Sequence, residues 1–269
     1  LLVYISYDLG HACSVPRVVA VGTGFAGVVG NKGAISLSMR VHNSWVCIVC
    51  AHLASGTNAS DARNLEYQQL LQRIAFAPLP ALGKASLQAA SAGGTGAADP
   101  ILVPESVAEH SFVVWFGDLN YRIDLDGETT REMLLAGEID GLRRYDQLKH
   151  AQESGAAFVE FTEGPLDFIP TYKYDPGTNN LDTSEKHRPP AWCDRVLWWC
   201  PPSPVSGIGA APPVKCLSYG RCSELMQSDH RPVAAELQLE VEVQPQTPPP
   251  SPPRTRHPTL APAPARSRA

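Results

Sequence analysis

The chain has 269 residues, 43% of them hydrophobic, and a formal net charge of −5. That is long enough for one large domain or two small ones, and apolar enough to build a core. Residues 244–269 hold four arginines (254, 256, 266 and 268) and no acid, so residues 1–243 carry −9. A basic nucleic-acid footprint is therefore absent from the part expected to fold, and any anionic ligand must be met by a local cluster of cations or by a metal ion.

Seven cysteines, at 13, 47, 50, 193, 200, 216 and 222, follow no framework spacing. Cys47 and Cys50 lie three apart in an apolar run, so on a strand they face opposite sides and cannot share one ion. Buried reduced thiols and a cytoplasmic setting are the expectation. No apolar run reaches the roughly 18–20 residues that cross a bilayer.

In chain order, residues 1–7 and 17–22 predict two strands. The opening LLVYISY lacks a basic flank and an initiator Met, so the chain is expected to begin inside a domain. Gly22 to Gly33 then has five glycines in twelve positions, a composition that lets backbone amides approach an anion, with Lys32 adding charge. That lysine is not followed by Ser or Thr, so this is no P-loop, and a ligand-free glycine-rich hairpin competes with the anion reading. Phe25, Val28 and Val29 suggest a tip that touches a membrane surface.

Ala34–Arg40 and Trp45–Ala51 read as strands, the second ending at His52, a candidate acid or base at a sheet rim. A helix is predicted from Ser60, as N-cap, to about Phe76, with Tyr67, Leu70, Leu71 and Ile74 on one face. Residues 77–109 are rich in Ala, Gly and Pro and read as a long low-complexity insertion.

The densest stretch follows. Phe112–Phe116 predicts a strand buried on both faces, stopped by Gly117 and followed at once by Asp118, Asn120, Tyr121 and Arg122. Asp118 can take a proton from water, and Asn120 can donate and accept beside it; a plain turn after a core strand is the alternative. Helices are expected over 128–136 and 138–154. Tyr172, Lys173, Lys186 and Arg188 gather three cations and a phenol in an acidic domain, a set suited to phosphate groups. Asp194 and Arg195 open a strand over 196–199, which would place Asp194 at the rim with Asp118. After a Pro-rich loop (201–213), Asp229 and His230 precede a last strand, Val233–Leu239, and can orient a phosphate or a water. Residues 244–269, with nine prolines, read as a disordered Pro/Arg tail that suits an SH3-type groove.

Together, WFGDLNYRI (115–123), PAWCDRVLW (190–198) and SDHRPV (228–233) resemble the three signatures of the inositol polyphosphate 5-phosphatases. GNKG (30–33), AHLASG (51–56), FTEG (161–164) and PTYKYD (170–175) agree, with wording nearest the type II group. The resemblance covers residues 1–240 apart from the insertion. It implies an α+β sandwich of the DNase-I-like kind, with two mostly antiparallel sheets face to face and outer helices, over residues 1–243. It also implies Mg²⁺-dependent removal of the 5-phosphate from phosphoinositides or soluble inositol phosphates.

By that resemblance Asp118 deprotonates the attacking water and Asn120 orients it. His230, held by Asp194, binds the scissile phosphate; His52 lies on the leaving-group side and Asp229 beside the metal. Tyr172, Lys173, Lys186 and Arg188 grip the 4-phosphate, with Arg195 also in the substrate set. Asn31 and Lys32 face the 1-phosphate, and Phe25 and Val28 the lipid chains at a peripheral membrane. The family's principal Mg²⁺ ligands, an Asn and a Glu, lie before the first strand seen here, so the expectation is a fragment lacking them and one or more core strands. A nuclease of the same fold and a catalytically dead binding module are the alternatives.

Overall fold

The structure, a computed structural model, describes residues 1–24, 31–78, 103–202, 214–241 and 243. Eight strands and five helices are assigned among them. The elements are α1 (Tyr7–Gly10), β1 (Arg17–Gly22), β2 (Gly33–Val41), β3 (Ser44–His52) and α2 (Ser60–Arg73). After a 3₁₀ turn (Val107–Glu109) come β4 (Phe112–Asp118), α3 (Gly127–Leu135), α4 (Ile139–Arg143) and α5 (Gln147–Glu153). The chain then forms β5 (Thr162–Glu163), β6 (Asp194–Trp199), β7 (Val214–Arg221) and β8 (Val233–Leu239).

Six strands make one sheet in the order β1-β2-β3-β4-β6-β5, and β7 with β8 makes a second. All pairings are antiparallel except β3 with β4. This is the expected α+β arrangement of two sheets with helices outside.

Period-two alternation decides which face of the large sheet is buried. Cys47, Val49 and Ala51 of β3, Val113 and Trp115 of β4 and Leu197 of β6 pack under Tyr67 and Leu70 of α2 and under Phe158 and Phe161. Tyr67 lies 4.0 Å from Phe158 and 5.3 Å from Trp115, ring centre to ring centre. Burying each such side chain contributes roughly 1.5–3 kcal/mol, so this layer holds the sheet rigid behind the site. On the opposite face Val114 and Phe116 are only half-buried, which corrects the expectation of a strand buried on both sides. Helices α2 and α5 cover the buried face, and the small sheet meets the large one at β6, where Val196 N–H donates to the Tyr219 hydroxyl (3.2 Å).

Four other expectations need correction. Residues 1–6 form no strand, because no neighbour among the described residues offers them a ladder; Leu2, Tyr4 and Tyr7 are 81%, 88% and 98% exposed. The helix predicted over 138–154 is broken in two at Asp146, whose carboxylate leaves the helix register to accept from Lys149 N–H (3.1 Å). Ser60 is the first residue of α2 rather than its capping residue, and the helix stops at Arg73 while Ile74 and Phe76 continue in extended form into the core. The insertion ends early: residues 79–102 lie outside the described residues, but Ser106 bridges Ala75 and Val107 is fully buried. Strands β5 and β7 were not anticipated.

Both cysteines of the 47/50 pair are free thiols on opposite faces, Cys47 buried and Cys50 half-buried. No described helix is long and apolar enough to cross a membrane.

Candidate active site

The sheet register assembles the site. His52, the last residue of β3, pairs with Asp118, the last of β4, and Asp118 pairs with Asp194, the first of β6. Three chemically active side chains from distant segments thus stand side by side on one rim. Gly117 makes the approach possible: with φ +135° it has no Cβ, and a Cβ there would lie 2.0 Å from the Ala51 carbonyl of β3. The chain then turns sharply. Leu119 N–H donates to the Cys193 carbonyl (2.8 Å) and Asn120 takes a left-handed conformation (φ +58°), which Asn tolerates better than most residues.

Asn120 is 3% exposed and hydrogen-bonded on every side. Its backbone N–H donates to Asp118 Oδ1 (3.1 Å), and its Nδ2 donates to Asp118 Oδ2 (3.0 Å) and to the Leu53 carbonyl (3.1 Å). Burial and the neighbouring Asp194 charge push the Asp118 carboxyl above its ordinary value, with His230, His52 and Lys32 pulling the other way. A carboxylate whose proton affinity is raised is suited to taking a proton.

His230 reaches the rim from the segment before β8. Its Nδ1 donates to Asp194 Oδ2 at 2.8 Å, and the same oxygen accepts from the Thr171 hydroxyl at 2.7 Å. Burial alone would lower the imidazole's pKa, but the Asp194 bond and the charges of Asp194, Asp118 and Asp229 raise it. Tyr172 bridges the backbones of Ala191 and His230, and its ring lies 4.8 Å from the imidazole.

His52 is half exposed, with Nε2 3.2 Å from Asp118 Oδ2 and 2.5 Å from Lys32 Nζ. Burial and the Lys32 charge lower its pKa, opposed by Asp118. Burial likewise lowers that of Lys32, again opposed by Asp118. Lys32, expected at a distant ring phosphate, stands here against His52; Asn31 is exposed at the turn before β2.

The cation set sits on one flap. Lys173 Nζ lies 3.4 Å from Asp229 Oδ2, and the Lys173 carbonyl accepts from Asp182 N–H (2.9 Å). Asp182 in turn ties down the 182–188 loop, accepting from Ser184 N–H (3.2 Å) and Arg188 N–H (2.8 Å). Lys186 is exposed and Arg188 half-buried on that loop. Lys173, Lys186 and Arg188 therefore belong to one connected flap, joined through Tyr172 to the backbone of His230.

Arg195 does not belong to the substrate set. It is 2% exposed, its guanidinium paired with Asp146 (2.9 Å) and Glu163 (2.6 Å). Its side chain leaves the sheet on the face opposite Asp194, because adjacent residues on a strand point in opposite directions. Asp229, expected beside the metal, is engaged with Lys173. Phe25, Val28 and the Pro/Arg tail lie outside the described residues.

Asp118, Asp194 and His230 each place a ligand atom within 4.8 Å of the others. Asp194 Oδ2 and His230 Nδ1 are engaged with each other, so what remains is chiefly carboxylate oxygen, which fits a hard divalent cation such as Mg²⁺ better than a nitrogen-seeking one. Two groups that act here had no role assigned from the sequence. Thr171 is fully buried and shares Asp194 with His230. Arg122 donates to Asn120 Oδ1 (2.7 Å); its place two residues after Asn120 was the only signal.

A six-stranded, mostly antiparallel sheet whose rim gathers carboxylate, amide and imidazole is an arrangement suited to phosphoester chemistry. Residues 1–236 match the Endonuclease/Exonuclease/phosphatase family 2, and the chain belongs to that family. It is 35% identical over 238 residues to the mouse type II inositol 1,4,5-trisphosphate 5-phosphatase, covering 87% of this chain and 21% of that protein. It is 36% identical over 240 residues to the Arabidopsis thaliana type I inositol polyphosphate 5-phosphatase 1, covering 87% of this chain and 36% of that protein. The chain thus spans about a third or less of these two relatives.

Among solved structures it is similar to the inositol polyphosphate 5-phosphatase domain of a synaptojanin, in complex with inositol (1,4)-bisphosphate and calcium ion. That match has a TM-score of 0.66 and 30% identity, and covers 86% of this chain and 58% of the other. A Cimex nitrophorin, 24% identical with a TM-score of 0.58 over 84% of this chain and 65% of its own, shares the fold alone.

Proposed function

We propose that this chain is the catalytic domain of a divalent-metal-dependent phosphatase that removes the 5-phosphate from inositol polyphosphates or phosphoinositides. One observation carries the reading: Asp118, with Asn120 bonded to it, and His230, bonded to Asp194, stand together beside the Tyr172–Arg188 flap. The names of its relatives and of its solved neighbour support the same substrate class.

In this reading Asp118 accepts the proton of the attacking water and Asn120 orients it. His230, its Nδ1–H spent on Asp194 and its proton affinity raised by the surrounding carboxylates, donates from a protonated Nε2 to the phosphoryl oxygens as negative charge spreads over them. His52 and Lys32, on the other side of Asp118, face the departing inositol oxygen. Lys173, Lys186 and Arg188 hold the remaining ring phosphates, which explains how a −9 domain accepts a polyanion. The carboxylates of Asp118 and Asp194 would hold a divalent cation such as Mg²⁺, which would supply further positive charge against the phosphate.

Release of inorganic phosphate from inositol 1,4,5-trisphosphate, measured with Mg²⁺ beside nicking of duplex DNA, tests the proposal. Phosphate release without nicking supports it. Nicking without release shows a nuclease, and neither activity with retained inositide binding shows a binding module.

A further inference from the structure

We propose that Arg122 is a positioning residue for the phosphoryl transfer assigned above: its guanidinium sets which way the Asn120 carboxamide faces and backs the Tyr172–His230 ring pair.

The two ends of an asparagine side chain have nearly the same shape, and only their partners distinguish them. Here the partners leave one choice. Arg122 can only donate, and its Nη2 lies 2.7 Å from Asn120 Oδ1 while its Nε lies 3.0 Å from the Asn120 carbonyl. Asp118 Oδ2 and the Leu53 carbonyl can only accept, and both meet Asn120 Nδ2. Rotating the amide by half a turn would set donor against donor and acceptor against acceptor. Arg122 therefore aims the amide N–H groups at Asp118, the group that takes the proton from water.

The other face of the guanidinium does a second task. It lies 4.5 Å from the centre of the Tyr172 ring, which is itself 4.8 Å from His230. Cation, phenol and imidazole follow one another in a row, the two rings tilted by 44°, so a single side chain backs both halves of the site.

Arg122 is built for this and not for charge neutralisation. It is 5% exposed, and among the described residues no carboxylate lies within ion-pairing distance of it. A buried guanidinium without a carboxylate is costly to keep, which distinguishes it from Arg195 with its two. Its backbone is clamped on both sides by Gln147: Arg122 N–H donates to Gln147 Oε1 and Gln147 N–H donates to the Arg122 carbonyl, each at 2.9 Å. Lysine would keep the charge and lose the planar two-point grip.

The test uses the full chain and its Arg122→Lys and Arg122→Met variants. Two quantities are read: kcat and KM for 5-phosphate release, and hydrogen exchange of the Asn120 carboxamide in ¹⁵N NMR, its signals identified by their loss in Asn120→Asp. The expected result is a slowly exchanging carboxamide in the unaltered protein. In Arg122→Lys its exchange is faster and kcat falls about 100-fold, the cost of a misplaced group, with KM nearly unchanged. An Arg122→Lys variant with unaltered kcat, or with an Asn120 carboxamide exchanging as before, overturns the proposal. If the unaltered chain releases no phosphate, the phosphatase reading fails while the carboxamide still decides this one. Should both variants fail to fold, exchange in the unaltered protein decides: protection supports the proposal and solvent-rate exchange refutes it.

Discussion

Asp194 Oδ2 and His230 Nδ1 lie 2.8 Å apart, although 36 residues separate them in the chain. The bond ties the Nδ1 proton to Asp194, and the raised proton affinity of the ring favours a second proton on Nε2, which can then donate. Asp194 is held in turn by its register with Asp118 and by the Thr171 hydroxyl. Asp194→Asn keeps the shape and removes the charge, so kcat for 5-phosphate release should fall about 100-fold or more, the usual scale of acid–base assistance. Steady-state kinetics with unaltered kcat would remove His230 from the account.

Lys173 presents a charge on the flap without being buried, and its only ion pair among the described residues is with half-exposed Asp229. Lys173→Ala should raise KM about tenfold for substrates carrying a 4-phosphate, the loss of one charge-assisted contact. Substrates without that phosphate should be little affected. Comparing KM for the two kinds of substrate checks the assignment, and an equal rise for both would refute it.

Arg195 has a structural task. Its guanidinium joins Asp146, which caps α5, to Glu163 of β5, and Tyr219 of β7 donates to the same Glu163 (2.7 Å). Arg195→Met leaves two carboxylates buried without their cation and should destabilise the fold by about 3–5 kcal/mol. Urea denaturation measures this. A stable variant with a specific loss of substrate affinity would return Arg195 to the binding set.

His110 gives the fold a pH dependence away from the site. It is fully buried, with Nδ1 2.9 Å from the Ser106 carbonyl and Nε2 2.8 Å from the Ser38 hydroxyl. Burial lowers its pKa from 6.5 to about 4. The unfolded chain therefore takes up a proton that the folded chain refuses. The stability His110 contributes is complete above pH 6.5 and declines as pH falls towards 4, by about 3 kcal/mol in all. His110→Gln should flatten the stability curve across that window, and an unchanged slope would contradict the assignment.

How far the sequence led depended on whether a residue's role was local. The strand ending at Asp118 and the strand after Asp194 were legible because apolar runs stop abruptly at polar residues, and both proved to end at one rim. The cations of the flap were legible because positive charge is scarce in an acidic chain. Arg195 entered the substrate set through the resemblance alone; only the fold shows that it points away from Asp194, into two carboxylates. Residues 1–6 looked like a strand by composition, but a strand needs a neighbour, and composition does not supply one. Thr171 acts through Asp194, which the fold brings to it from 23 residues away, so spacing could not disclose it; Arg122 stands two residues from Asn120, but only the fold shows which end of that amide it holds.

The central claim is that Asp118 receives the proton of the water that attacks the 5-phosphate. The most direct measurement is the rate of phosphate release from inositol 1,4,5-trisphosphate by the chain and by Asp118→Asn, with inositide binding measured on both. The account predicts release by the unaltered chain, and a rate at least about 100-fold lower in the variant with binding retained. Equal release by the two proteins would contradict it.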